Sequence, residues 1–216
     1  MTGLIKYDLM QIASGVKGGF VLVYLIFMAV LSVVGEMGGM FSYIIVFLGV
    51  MFGIAAFSYE ESYHWDRYTA ALPVSVRQIV LARYIMVGLC LLVGLAAGGL
   101  LSGISFAAGN LHMALGEWMV VMAQTAIVAL LYMELMIPAM YRFGAERGRI
   151  AMLILFIVLF AAAYGIIALV EAASAEQLAI LSISLSGMTL IGAVVVLALL
   201  PVSIGISARI RSKKEF

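Results

Sequence analysis

Charge is scarce in this chain. Only 11% of its 216 residues are Asp, Glu, Lys or Arg, against roughly 25% in an ordinary soluble domain. Too little polar surface remains to cover a water-soluble globule of this size. The net charge is +1, so no bulk positive field exists to recruit nucleic acid. The single cysteine, Cys90, lies inside an apolar run; an internal disulfide is excluded, and the thiol reads as a small buried hydrophobe. The two histidines, His64 and His112, belong to no cluster of metal-ligand spacing, so no metal is expected. The phosphate-cradling pattern G-x-x-x-x-G-K-[ST] is also missing. "GAERGRI", 144–150, has two glycines and basic residues, but it lacks that spacing and follows no strand.

What the chain does have is hydrocarbon. It is 66% hydrophobic, with mean hydropathy +1.21. Runs of about 20 apolar residues mark bilayer spans, and six occur, at 18–35, 41–57, 84–107, 117–141, 150–170 and 186–208. In lipid each must be a helix, because unpaired backbone groups are costly there. The first run is long and has no A-x-A cleavage pattern, so it reads as a retained helix rather than a signal peptide. The expected fold is an all-α polytopic membrane protein, one domain over 1–216. If the N-terminus is cytosolic, all twelve basic residues fall on inner segments, while Glu36, Glu171 and Glu176 fall outside. The positive-inside rule therefore predicts cytosolic termini and an even number of spans. Residues 3–17 place Leu4, Ile5, Leu9, Ile12 and Val16 at helical spacing, the pattern of an amphipathic helix on the inner surface; Asp8 interrupts it. The interval 171–185 either begins the sixth span early or, as the alternating Ser182, Ser184 and Ser186 favour, lies at the outer interface.

The most polar stretch is "FSYEESYHWDRYTAALPVSVRQIVLARY", 57–84. Glu60, Glu61, His64, Trp65, Arg67 and Tyr68 lie on helix-forming sequence, with Trp65, Tyr68 and Leu72 on one face. Pro73 ends that helix. Ser75 and Gln78 form an S-x-x-Q capping box that starts the next helix, running into the third span. The segment 58–76 is thus a short cytosolic helix, a turn and a rigid entry into the membrane. Trp, Tyr and Arg are hot-spot residues of protein interfaces; they are also residues of interfacial aromatic belts. An intramembrane glutamate protease is excluded by spacing. Five residues separate Glu61 from Arg67, and His64 and His112 fall on opposite sides of the membrane, about 30 Å apart.

Three segments in order resemble the small permease subunits of ABC-2 type ATP-binding cassette exporters: "WDRYTAALPVSVRQIVLARY", 65–84; "PAMYRFGAERGRI", 138–150; and "SIGISARIRSKKEF", 203–216. Exporters of phenol-soluble modulins and related amphipathic peptides are the subgroup it is most similar to. The resemblance implies a multi-pass protein of the bacterial cytoplasmic membrane that is not itself an enzyme. It implies that the helix in 58–76 is a coupling helix, docking a cytosolic ABC ATPase dimer that binds ATP and Mg. Glu60, Glu61, His64, Trp65, Arg67, Tyr68 and Leu72 would make the contact, with Pro73 fixing the angle. A second permease copy or a paralogue would complete a pathway through the lipid. The competing reading is a non-transporting immunity or assembly protein that docks a cytosolic partner through the same loop.

Inside the membrane the sequence singles out Glu134. Intramembrane ionisable groups are functional candidates by default. Pro138, one turn later, frees the Glu134 carbonyl and bends the helix. A gating or pathway role is one reading; pairing with Arg142, or with Arg83 on the third span, is the other. Gln124 and Thr125 either line a polar path or bond between helices. Met119, Met122, Met133, Met136 and Met140 suit either varied apolar cargo or adaptable packing. Gly49–Gly53, Gly94–Gly98 and Gly99–Gly103 are small-xxx-small pairs that permit close helix contact within the chain.

Overall fold

The computed structural model describes Met10, Ile26, Phe27, Val30 and residues 38–62, 74–109, 114–172 and 185–213. Among these residues all regular structure is helical. Helix α1 spans Gly38–Ser62, α2 Val76–Ala107, α3 Leu115–Ala172 and α4 Leu185–Ser212. Three described stretches are long and apolar enough to cross a bilayer: Val76–Ala107, Leu115–Gly144 and Thr189–Ser212. The apolar part of α1, Tyr43–Ala55, is shorter. The expected first span and the surface helix at 3–17 fall almost wholly outside the described residues. So does most of the interval 171–185.

Helix starts follow local chemistry. Ser75 has extended dihedrals, φ −73 and ψ 150. Its Oγ accepts the Gln78 N–H at 3.3 Å, and its own N–H donates to Gln78 Oε1 at 3.1 Å. This is the reciprocal box expected from the sequence, and it satisfies two donors at a helix N-terminus. At the start of α3 the Ala114 N–H donates to the Glu117 carboxylate at 3.2 Å.

The fourth and fifth expected spans differ from the sequence reading in one respect. No polar loop separates them. Helical backbone runs to Gly144 and resumes after it, and Gly144 alone is non-helical, at φ 78 and ψ 177. That left-handed φ suits glycine, which has no Cβ to clash. The break is a sharp reversal. A side chain on Gly148 would run into the Met140 thioether, although eight residues of straight helix span about 12 Å. Phe47 meets both Tyr132, at 5.9 Å between ring centres, and Phe156, at 6.2 Å. Those two rings lie equally far before and after Gly144, so the arms of α3 stand side by side.

Pairings along the helices fix their directions. Phe47 and Phe57 of α1 meet Tyr132 and Tyr141 of α3, so α1 runs parallel to the first α3 arm. Gln124 meets Thr189, and Ser203 meets Glu134, so α4 runs parallel to that arm as well. α2 runs against all three. It packs on α1 through glycine: a Cβ on Gly49 would lie 2.6 Å from the Cys90 carbonyl oxygen and 3.1 Å from the Gly94 Cα. Gly49, Gly53 and Gly94 therefore serve packing within the chain. Gly103 meets only open space.

The core joins Val46, Val50 and Ile54 of α1, Val80, Met86 and Val87 of α2, and Tyr132, Met136 and Ile137 of α3. Met133 and Met140 are buried with them, whereas Met119 is exposed. Three of the five singled-out methionines thus fill core, consistent with flexible thioethers as packing material. Away from the core, Leu92, Val93 and Leu100 on α2 and Leu190, Val194 and Leu197 on α4 are well exposed. Such surface suits lipid rather than water.

Candidate functional site

The ends of the helices gather at one pole. α1 ends there at Ser62, α2 begins at Val76, α3 reverses at Gly144 and α4 ends at Ser212. Exposed Arg77, Arg142, Arg147, Arg209 and Lys213 surround it. The segment between Ser62 and Ser75 attaches here. Glu60 and Glu61 lie on the last turn of α1, which continues past the expected end of its span at 57 without a break. His64, Trp65, Arg67, Tyr68, Leu72 and Pro73 lie outside the described residues.

Just inside this pole, one row of side chains crosses all four helices. The Arg83 guanidinium carbon sits 4.6 Å from the centre of the Phe57 ring. Phe57 stands edge-on to Tyr141 at 5.0 Å. Arg211 lies over the other end of the row, 5.5 Å from the Tyr141 ring. Both arginines are only 4% exposed. Cation–π contacts contribute about 0.5–2 kcal/mol each when desolvated, and an edge-on aromatic pair about 0.5–1.5 kcal/mol beyond its burial. The row therefore fastens α1, α2, α3 and α4 together at the level where the polar segment joins them.

One turn deeper lies a buried polar cluster. Tyr84 Oη is 2.6 Å from Ser203 Oγ and 3.0 Å from Ser207 Oγ. The Ser203 hydroxyl also donates to the backbone carbonyl of Glu134. That carbonyl is the one Pro138 leaves without its helical donor, and α4 supplies the replacement. Proton counting then orients the cluster, since each hydroxyl has one hydrogen. Ser203 spends its hydrogen on the carbonyl, so Tyr84 donates to Ser203, and Ser207 donates to Tyr84.

The Glu134 side chain stands apart from this scheme. It is 3% exposed, and among the described residues neither carboxylate oxygen has a hydrogen-bond partner. Neither oxygen is hydrogen-bonded to Arg83 or Arg142. Arg83 is drawn to the Phe57 ring. Arg142 is exposed, with its guanidinium over neighbouring Phe143 at 5.5 Å. A buried carboxyl without a partner carries a desolvation cost. Glu134 and Pro138 therefore share one site with Tyr84, Ser203 and Ser207, a role for α4 that the sequence reading did not identify. Ser203, Ser207 and Arg211 recur at i, i+4 and i+8, and that stripe was the readable signal.

Gln124 is not part of this site. Its Nε2 donates to Thr189 Oγ1 at 3.2 Å, tying α3 to α4. It lies ten residues, about 15 Å, from Glu134. Thr125 turns back to the Val121 carbonyl of its own helix at 2.9 Å. Of the two readings for this pair, interhelical bonding holds for Gln124, and Thr125 also bonds the Tyr43 side chain of α1.

A family model described as ABC-2 family transporter protein matches residues 3–211. No curated protein and no solved structure matches the chain. The match runs through every helix of the bundle and through the segment at its basic pole, and the chain belongs to the ABC-2 family of transporter proteins.

Proposed function

We propose that the chain is the transmembrane permease subunit of an ABC exporter in a bacterial cytoplasmic membrane, with its basic pole and both termini in the cytosol. It forms the cargo pathway with a second copy or a paralogue. A separate cytosolic ATPase dimer, holding ATP and Mg, drives it through Glu60, Glu61, His64, Trp65, Arg67, Tyr68, Leu72 and Pro73. Amphipathic peptides, including phenol-soluble modulins, or other hydrophobic compounds are the cargo class that the resemblance and the apolar interior favour.

One observation supports this reading beyond family membership: the end of the polar segment caps a long helix directly. Ser75 caps α2 directly, and α2 then runs unbroken from Val76 to Ala107. A push on the segment during ATPase closure moves α2 as a stiff lever. The Arg83–Phe57–Tyr141–Arg211 row and the Tyr84–Ser203 bond pass the movement to α1, α3 and α4. Glu134 and Pro138 lie where α3 is braced by α4, and their rearrangement gates the pathway.

The test is purification from native membranes in mild detergent. The expected result is a co-eluting ATPase whose turnover rises with amphipathic peptides. A stable monomer with no nucleotide-hydrolysing partner overturns the proposal.

A further inference from the structure

The basic pole carries a groove apart from the buried Tyr84–Ser203 cluster. It encloses about 500 Å³ between the first turn of α2 and the last two turns of α4, within the roughly 300–1,000 Å³ of small-molecule pockets. Ser75, Arg77, Gly205, Ala208, Arg209 and Ser212 line it. Among the described residues no acidic side chain lines it, and two arginines from different helices do. The floor is small: a Cβ added at Gly205 would meet nothing within 4 Å.

Towards the membrane, the same face of α4 continues by helical steps from Gly205 to Val202, Ala198 and Val194. All three are exposed, Val202 by 54% and Val194 by 66%. The groove thus has a cationic end at the bundle's pole and an apolar runway along a span. That is the shape of one phospholipid, with headgroup at one end and acyl chain along the other.

We propose that this groove binds an anionic phospholipid, with its phosphate held between Arg77 and Arg209 and an acyl chain laid on α4. Basic pockets between helices at a membrane surface recognise anionic headgroups in this way. A second copy fits poorly, because a two-fold contact centred on the groove sets each arginine pair against its own copy. A soluble ATPase cannot follow the apolar runway into the bilayer. The inference requires only that the chain is membrane-embedded, so it stands or falls independently of transport.

The experiment is native mass spectrometry of the purified full-length protein, delipidated and then offered equal phosphatidylglycerol and phosphatidylcholine with identical acyl chains. Wild type retains phosphatidylglycerol in preference. Each lysine or arginine near the surface is worth about fivefold, so Arg77→Gln with Arg209→Gln lowers that preference by about thirtyfold. The paired Lys substitutions keep most of it. Gly205→Leu, whose Cβ enters open space, lowers phosphatidylglycerol occupancy with both arginines present. Equal retention of the two lipids by wild type overturns the proposal. So does an unchanged preference in the Gln pair, or displacement by excess inorganic phosphate. Loss of a bound ATPase from the Gln pair with lipid preference intact reassigns the groove to protein docking.

Discussion

Replacing Glu134 by methionine is expected to make the protein more stable and less active. The carboxyl is 3% exposed, and neither oxygen has a hydrogen-bond partner among the described residues. An unsatisfied buried polar group costs about 1–3 kcal/mol. An apolar side chain of similar volume removes that cost, as when buried charges are replaced by hydrophobic residues. Met133, Met136 and Met140 already line this part of α3, so another thioether fits the local packing. The Ser203 bond survives, because it uses the backbone carbonyl. Stability should rise by about 2 kcal/mol, which for a chain of this length is roughly 4–8 °C in Tm. The measurement is thermal unfolding in detergent beside peptide export in reconstituted vesicles, with Glu134→Gln as the isosteric comparison. Both variants should lose transport, and only the Met variant should melt later. A Met variant that melts earlier means the carboxyl has a stabilising partner after all. One that melts later and transports normally removes Glu134 from the mechanism.

Two further outcomes follow from packing. Ser203→Ala leaves the carbonyl freed by Pro138 without its donor and Tyr84 without its acceptor. Interhelical bonds in membranes average about 0.6 kcal/mol and reach about 1.7 kcal/mol, so a loss near the upper value is expected in equilibrium unfolding; a neutral variant refutes the proposed proton ordering. Gly49→Ala forces a methyl group to 2.6 Å from the Cys90 carbonyl oxygen and should cost about 1–3 kcal/mol through overpacking. Gly103→Ala, with nothing within 4 Å, should stabilise by up to about 1 kcal/mol through helix propensity. A Gly49→Ala variant that is neutral or more stable in unfolding assays refutes the α1–α2 contact.

Local chemistry in the sequence foretold local structure. The Ser75–Gln78 box needs only residues three apart, and it formed as written. Pro138 announced an orphaned carbonyl, because proline lacks the N–H that would have met it. The identity of its rescuer was not legible. Ser203 lies 69 residues away, and only tertiary packing brings α4 to α3. Pairing of Glu134 with Arg142 or with Arg83 was one of two readings, because opposite charges attract. The register of α1 on α2, set by the close glycine contact at Gly49 and Gly94, presents Arg83 to the Phe57 ring. The reversal after the fourth span was visible as "GAERGRI" but not its form. Arg142, Glu146 and Arg147 fall between the two expected spans, and their charges sit on helical turns around a single break. Nothing local distinguishes Gly144, which takes the positive φ, from Gly148, which packs on Met140.

The central claim is that the segment ending at Ser75 receives the ATPase's movement and hands it to α2. Trp65→Ala with Tyr68→Ala tests it most directly, read as ATP turnover of the ATPase co-purified with the permease. The account predicts a permease with unchanged helical content and thermal unfolding that no longer retains or stimulates its ATPase. A double variant that still holds the ATPase and still raises its turnover contradicts it.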